Sequence, residues 1–161
     1  MNKIYLLLGS NMFDPEKQLK IAGREIAGSI GIIKKKSTIY KTAAWGITDQ
    51  PYFLNQVLIV HSNLTAEETL EVILGIEIKM GRIRTTKNAP RIIDIDILFF
   101  NKEIINLKNL TIPHPAIQDR RFVLVPLNEL SPRFIHPVLK KSIDNLLSVC
   151  PDNLDVVIAD C

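Results

Sequence analysis

The sequence is poor in the features that mark secreted, membrane or nucleic-acid-binding chains. It has two cysteines, Cys150 and Cys161, in 161 residues. That is too few for a disulfide framework and the wrong spacing for a metal site, so a reducing cytoplasm is the expected setting. No apolar run approaches the roughly 18 residues a membrane helix needs, and Ile4 to Leu8, after Lys3, is too short for a signal peptide. Charge of one sign is scarce as well. A net +3 can steer phosphorylated ligands but is too weak to argue for nucleic acid. The basic runs Lys34–Lys36 and Lys140–Lys141 read as solvated faces. The glycines form neither a GxGxxG nor a Walker motif, so Gly9-Ser10-Asn11 is weak evidence for a phosphate loop. No repeat, low-complexity block, second domain or nucleophile constellation is visible. A chain of this length, 47% hydrophobic, is expected to form one domain over residues 1–161.

What is present centres on Asn88 to Phe100, NAPRIIDIDILFF. From Ile92 onward, β-branched and large apolar residues predict a strand. Alternation puts Asp94 and Asp96 on one face, continued by Leu98 and Phe100, and Ile93, Ile95, Ile97 and Phe99 on the other. Apolar residues on both faces predict a central strand, where two like charges are costly unless cations compensate them. Paired carboxylates suit Mg²⁺, which shares oxygen ligands with substrate phosphates, and Arg82, Arg84 and Arg91 just upstream suit phosphate oxygens. The residues alone leave a second reading equally open: an aspartate pair salt-bridged to those arginines.

The rest of the chain supplies the layers. Ile4 to Leu8 predicts a strand, and Asp14-Pro15 opens a helix with Leu19, Ala22, Ile26 and Ile30 on its buried stripe. Gly28 and Gly31 bracket its end, and Ile32 to Tyr40 reads as one strand. Lys41 to Pro51 is a loop, followed by a strand over Phe53 to His61 with Asn55 and Gln56 near its start. Thr65 and Glu68 form a capping box for a helix to about Met80, on whose apolar face Glu77 sits; Gly81 ends it. Asn101-Lys102 reads as the turn of a hairpin returning through Ile104 and Ile105. Pro126 is expected to interrupt any helix in QDRRFVLVPL, Ser142 to cap a last helix, and Asp155 to Ile158 to add a strand. The order β-α-β-β-α-β predicts a ferredoxin-like α+β sandwich with an added hairpin and C-terminal elements.

LLLGSN, TIYKT, QPYFLN, IEIKMGRIR, APRIIDIDIL and IPHPAIQDRRFVLVPL stand in this order over about residues 3–135. This compound pattern resembles the 6-hydroxymethyl-7,8-dihydropterin pyrophosphokinase family. The resemblance implies transfer of pyrophosphate from ATP to a pterin alcohol in folate biosynthesis. It further implies that Asp94 and Asp96 hold two Mg²⁺ ions and that Arg82, Arg84 and Arg91 guide the triphosphate, with Arg82 and Arg91 acting in catalysis. Glu77, Arg84, His114 and Arg120 match the nucleotide site. Thr42 and Asn55 match the groups on the pterin edge and Phe122 the stacking aromatic, while Phe53 (or Tyr52), Trp45 and Gly46 line the same pocket. The implied partners are ATP and the hydroxymethyl dihydropterin, with no nucleic acid or membrane, in a cytoplasmic chain expected to be a monomer that could associate with other folate-pathway enzymes.

Two departures from the pattern are visible. Asn88-Ala89 stands where many relatives carry Trp-Gly, which gives Trp45 the expected task of covering the ring. Leu74 stands where many have Gln, so adenine is expected to be read by backbone groups. His61 and His136 match nothing in the pattern and read as structural. From residue chemistry alone, an ordinary kinase, a nucleotidyltransferase and a non-catalytic ferredoxin-like module all remain open.

Overall fold

The computed structural model describes residues 1–42, 52–81 and 92–159 of the chain. Strand β1 (Asn2–Ser10) shows why the architecture has two cores. Its alternating side chains divide between them: Ile4, Leu6 and Leu8 enter one, Tyr5 and Leu7 the other. A strand apolar on both faces must be covered on both sides.

Helices α1 (Pro15–Ser29) and α2 (Ala66–Lys79) cover the first face, with Leu19, Ala22, Ile26, Ile73 and Ile76 in the core. Both begin where the capping residues stand. Asp14 accepts from Lys17 N–H at 3.5 Å, and both arms of the Thr65–Glu68 box are made, at 3.1 and 2.9 Å. Helices α3 (Arg121–Leu130) and α4 (Ile143–Ser148) cover the second face through Val123, Leu124, Leu127, Ile143 and Leu146. Ser142 caps α4 as its position suggested, accepting from Asn145 N–H at 3.1 Å.

The six-stranded sheet between these layers runs β5 (Asp94–Phe100), β1, β4 (Phe53–Ser62), β3 (Tyr40–Thr42), β8 (Val157–Ile158), with β2 (Ile32–Lys36) also on β4. Every pairing in it is antiparallel. The expected α+β sandwich is therefore the observed fold, with these elements added around the core.

Five local expectations are corrected. The stretch Ile32 to Tyr40 is two strands, because Ser37 spends its hydroxyl and carbonyl on the Val57 amide and the Gln56 side chain, at 3.0 and 2.9 Å, and breaks the register. Among the described residues, strand β5 is an edge of the sheet rather than a central strand, since β1 is its sole ladder partner there. Its alternation fails after Ile97, where Tyr5 pairs with Phe99 and Leu6 with Ile97. The bulge skips Leu98, so Leu98 and Phe99 both enter the second core and Phe100 joins the first. The small hairpin is made one step later than expected, by β6 (Ile105–Leu107) and β7 (Leu110–Ile112). Asn101, at φ 53°, sends the chain out of β5 instead, accepting from Lys3 N–H at 2.8 Å. Finally, α3 passes through Pro126. An interior proline costs about 3 kcal/mol. Burial of Val123, Leu124 and Leu127 contributes roughly 1.5–3 kcal/mol each, and burial wins.

Candidate active site

The exposed edge of β5 would leave backbone groups unpaired, and two side elements take them up. Ile95 N–H donates to a carboxylate oxygen of Glu77 on α2 at 2.9 Å, and the Leu98 carbonyl accepts from His114 N–H at 3.0 Å. These bonds leave a groove of about 360 Å³ between α2, β5 and the β6–β7 hairpin. Glu77, Asp94, Asp96 and His114, all singled out by the sequence, line it together. Glu77 is 3% exposed, whereas Asp94 and Asp96 are half-buried and reach solvent. Lys108, Asn109 and Thr111 of the hairpin also line the groove, and nothing in the sequence had marked them. They are brought there by the chain's exit at Asn101, a tertiary effect.

His114 has a defined orientation. Its Nδ1 accepts from Ala116 N–H at 3.1 Å, so the neutral ring carries its proton on Nε2 and can donate it to an anion. Burial pulls its pKa below the usual histidine range and Arg120 adds to this, while Asp94 opposes it. Arg120 in turn lies over the Phe122 ring, 5.7 Å from its centroid.

The pterin-edge candidates lie across the same sheet. Asp94 is paired with Gly9 on β1, Gly9 with Asn55 on β4, and Asn55 with Tyr40 on β3. Residues directly opposite in an antiparallel ladder share a face, so Asp94 and Asn55 face the same side with only Gly9 between them. Asn55 Nδ2 donates to Thr42 Oγ1 at 3.4 Å, and both residues are 3% exposed. Phe53, half-buried, is paired with Thr42 and shares that face.

Gly9 is a position within this arrangement that the sequence did not single out. A Cβ there would stand 2.8 Å from Asn55 Oδ1. Its neighbour Ser10, fully buried, donates its hydroxyl to the Ile92 carbonyl and so fixes the entry to β5. The Gly9-Ser10-Asn11 motif gave the only available signal, and it pointed to a loop rather than to the strand floor where Gly9 sits. Arg82, Arg84, Arg91, Trp45 and Gly46 lie outside the described residues. Among the described residues, no group of three or more His, Cys, Asp or Glu side chains could hold a metal ion by itself. Nor, among them, is any helix long and apolar enough to cross a membrane.

Fold and sequence comparison together define a transferase of the pyrophosphokinase type. A family model for 7,8-dihydro-6-hydroxymethylpterin-pyrophosphokinase (HPPK) matches residues 5–132. The 2-amino-4-hydroxy-6-hydroxymethyldihydropteridine pyrophosphokinase of Methylorubrum extorquens is 40% identical over 136 residues, 84% of this chain and 86% of that protein. The enzyme of the same name from Aquifex aeolicus is 40% identical over 141 residues, 88% of each chain. The solved Plasmodium falciparum HPPK-DHPS with pteroate has the same fold at TM-score 0.76 and 20% identity, with 91% of this chain covering 42% of that longer one. The chain belongs to the HPPK family, and with it to the enzymes of folate biosynthesis.

Proposed function

We propose that this protein transfers pyrophosphate from ATP to the hydroxymethyl group of 6-hydroxymethyl-7,8-dihydropterin, releasing AMP. One observation carries the reading: Asp94 and Asn55 share a sheet face with Gly9 alone between them. Two strand spacings put the two backbones roughly 10 Å apart. A heterocycle bound at Asn55 and Thr42 therefore points a short alcohol arm toward a polyphosphate held at Asp94 and Asp96.

The donor set fits Mg²⁺. Asp94 and Asp96, two half-buried carboxylates on one strand face, would hold it through hard oxygen donors, the ligand type this ion takes alongside substrate phosphates. When bound there, Mg²⁺ supplies charge neutralisation on the triphosphate. The groove between α2 and the hairpin is wide enough for a nucleoside, with Leu70 and Ile73 as apolar walls and backbone groups near Thr111 to read the base edge. His114 Nε2–H and Arg120 donate to phosphate oxygens. Arg82 and Arg91, with Arg84, add positive charge around the transferred group, while Phe122 gives the pterin a face and Trp45 and Gly46 complete the ring's surroundings. The hydroxymethyl oxygen attacks the β-phosphorus in line, the bond to the α-phosphate oxygen breaks, AMP carries away that electron pair, and the alcohol proton passes to water. Alignment and charge neutralisation suffice, with no covalent intermediate on the enzyme.

The test is direct. Purified protein with MgATP and the dihydropterin alcohol should give AMP and the pterin diphosphate in equal amounts. ADP as product would make it an ordinary kinase, and released pyrophosphate a nucleotidyltransferase; either result overturns the proposed transfer.

A further inference from the structure

The C-terminal segment ties together two parts of the chain that the site draws upon. Helix α3 has Arg120 at its N-cap, and Arg120 makes no side-chain cap hydrogen bond. Asp152, 8% exposed, takes over from a distance: its Oδ2 accepts from Arg121 N–H at 3.0 Å. The other oxygen, Oδ1, accepts from Leu154 N–H at 2.9 Å, and Arg121 Nε donates back to the Leu154 carbonyl at 3.3 Å. A carboxylate at the first turn of a ten-residue helix also meets the positive end of its dipole.

From this clamp the chain runs to the far edge of the sheet. There β8 pairs with β3, Val157 opposite Lys41 and Ile158 opposite Tyr40, and Ala159 N–H donates to the Ile39 carbonyl at 3.0 Å. Strand β3 is three residues long and would otherwise be an edge held only by β4. The other end of α3 grips the same strand: Glu129 accepts from Thr38 N–H at 3.0 Å and from the Tyr40 hydroxyl at 2.7 Å. Burial, together with Glu129, pushes the Tyr40 hydroxyl pKa up to about 12. Helix α3 carries Phe122 and begins at Arg120; β3 carries Thr42, the partner of Asn55.

We propose that Asp152–Ala159 is a strap that fixes the distance between the aromatic wall and the strand wall of the pterin site, with Asp152 as its positioning residue. This rests on the pterin reading above. Asp152 touches no reacting atom. It acts by setting where α3 starts and, through β8, by holding β3 in the sheet.

The test uses the full chain with Asp152→Ala and Asp152→Asn, and with Val157→Pro as a variant that removes a β8 N–H and leaves the clamp intact. Amide hydrogen exchange reads the strap without any ligand. Protection at Tyr40–Thr42 should fall at least tenfold in Asp152→Ala and Val157→Pro while β1 and β5 keep theirs. Calorimetric titration then reads function. Affinity for the dihydropterin alcohol, measured with a non-hydrolysable MgATP analogue present, should fall at least tenfold in Asp152→Ala. It should fall less in Asp152→Asn, which keeps one accepting oxygen. Affinity for the analogue alone should fall by clearly less than the pterin affinity, since of its described residues only Arg120 adjoins the clamp, whereas Glu77, Asp94, Asp96 and His114 stand on elements the strap does not touch. Unchanged exchange at β3, or equal losses for both ligands, overturns the strap. If Asp152→Ala fails to fold, Asp152→Asn and Val157→Pro carry the same comparison. No pterin binding by the unaltered chain would refute the ligand reading instead, and exchange at β3 would then decide the strap by itself.

Discussion

Replacing Gly9 by alanine adds one methyl group to the floor of the site. The new Cβ would lie 2.8 Å from Asn55 Oδ1, inside the distance real Cβ atoms keep, and Asn55 is 3% exposed with Thr42 against its amide. Asn55 therefore cannot swing freely into solvent; either its side chain turns away from Thr42 or β1 and β4 part locally. Overpacking of this kind costs roughly 1–3 kcal/mol. Gly9 does not have a positive φ, so alanine also restricts the unfolded chain and returns roughly 0.4–1 kcal/mol. The net loss of stability is about 0–2.5 kcal/mol, a few degrees in Tm. The effect on binding should be larger than this modest change suggests. If Asn55 loses two hydrogen bonds to the pterin edge, at roughly 0.5–1.5 kcal/mol each, affinity falls about 5- to 150-fold. Titration of the dihydropterin alcohol against Gly9→Ala, Asn55→Ala and the double variant checks this. The double variant should bind hardly more weakly than Asn55→Ala alone, because both act through one side chain. Full additivity, or pterin affinity within twofold of the unaltered chain in Gly9→Ala, would refute the claim that Gly9 makes room for Asn55.

Asp94→Asn and Asp96→Asn should each lower Mg²⁺-dependent turnover at least ~100-fold, a barrier increase of roughly 2.7 kcal/mol, with unchanged circular dichroism. Near-normal turnover in either variant removes that residue from the metal set. Glu77→Ala leaves the buried Ile95 N–H without its acceptor and should cost about 1–3 kcal/mol in denaturant unfolding, whereas Glu77→Gln keeps an accepting oxygen and should cost less. Equal losses in the two would place the role of Glu77 in its charge rather than in this bond. His114 and His136 both have pKa values lowered mainly by burial, and His136 Nδ1 accepts from Val138 and Leu139 N–H at 3.2 and 3.0 Å. Both are therefore neutral in the folded state above the ordinary value of 6.5, where their full contribution is present. As pH falls below 6.5 the unfolded chain takes up these protons first, and stability drops by at most about 1.4 kcal/mol per pH unit per histidine until the folded pKa values are reached. Urea midpoints from pH 7.5 to 5.5 should show this decline, and His136→Gln should make it shallower; an unchanged slope would acquit His136.

Much of the framework is written locally. The apolar run Ile4 to Leu8, the Asp14 and Thr65 caps and the helical spacing of Leu19, Ala22 and Ile26 are short-range physics, and they appear where the sequence places them. The pairing of Asp94 with Asp96 on one face is equally local, because a strand's period is two. Other features depended on neighbours that no short window contains. The skipped Leu98 reflects the register β1 imposes on β5, and it moves Phe99 and Phe100 to faces opposite those their spacing implies. Pro126 stays inside α3 because a second core buries the helix around it. Gly9 gains its importance from Asn55 and Asp94, 46 and 85 positions away, which the sheet sets on either side of it. Asp152 becomes a helix cap only because the fold returns it to Arg121, 31 residues earlier. Hydrogen-bond periodicity and capping act over a few residues and can be read from them; packing, register and clearance are properties of surfaces that meet only after the chain has folded.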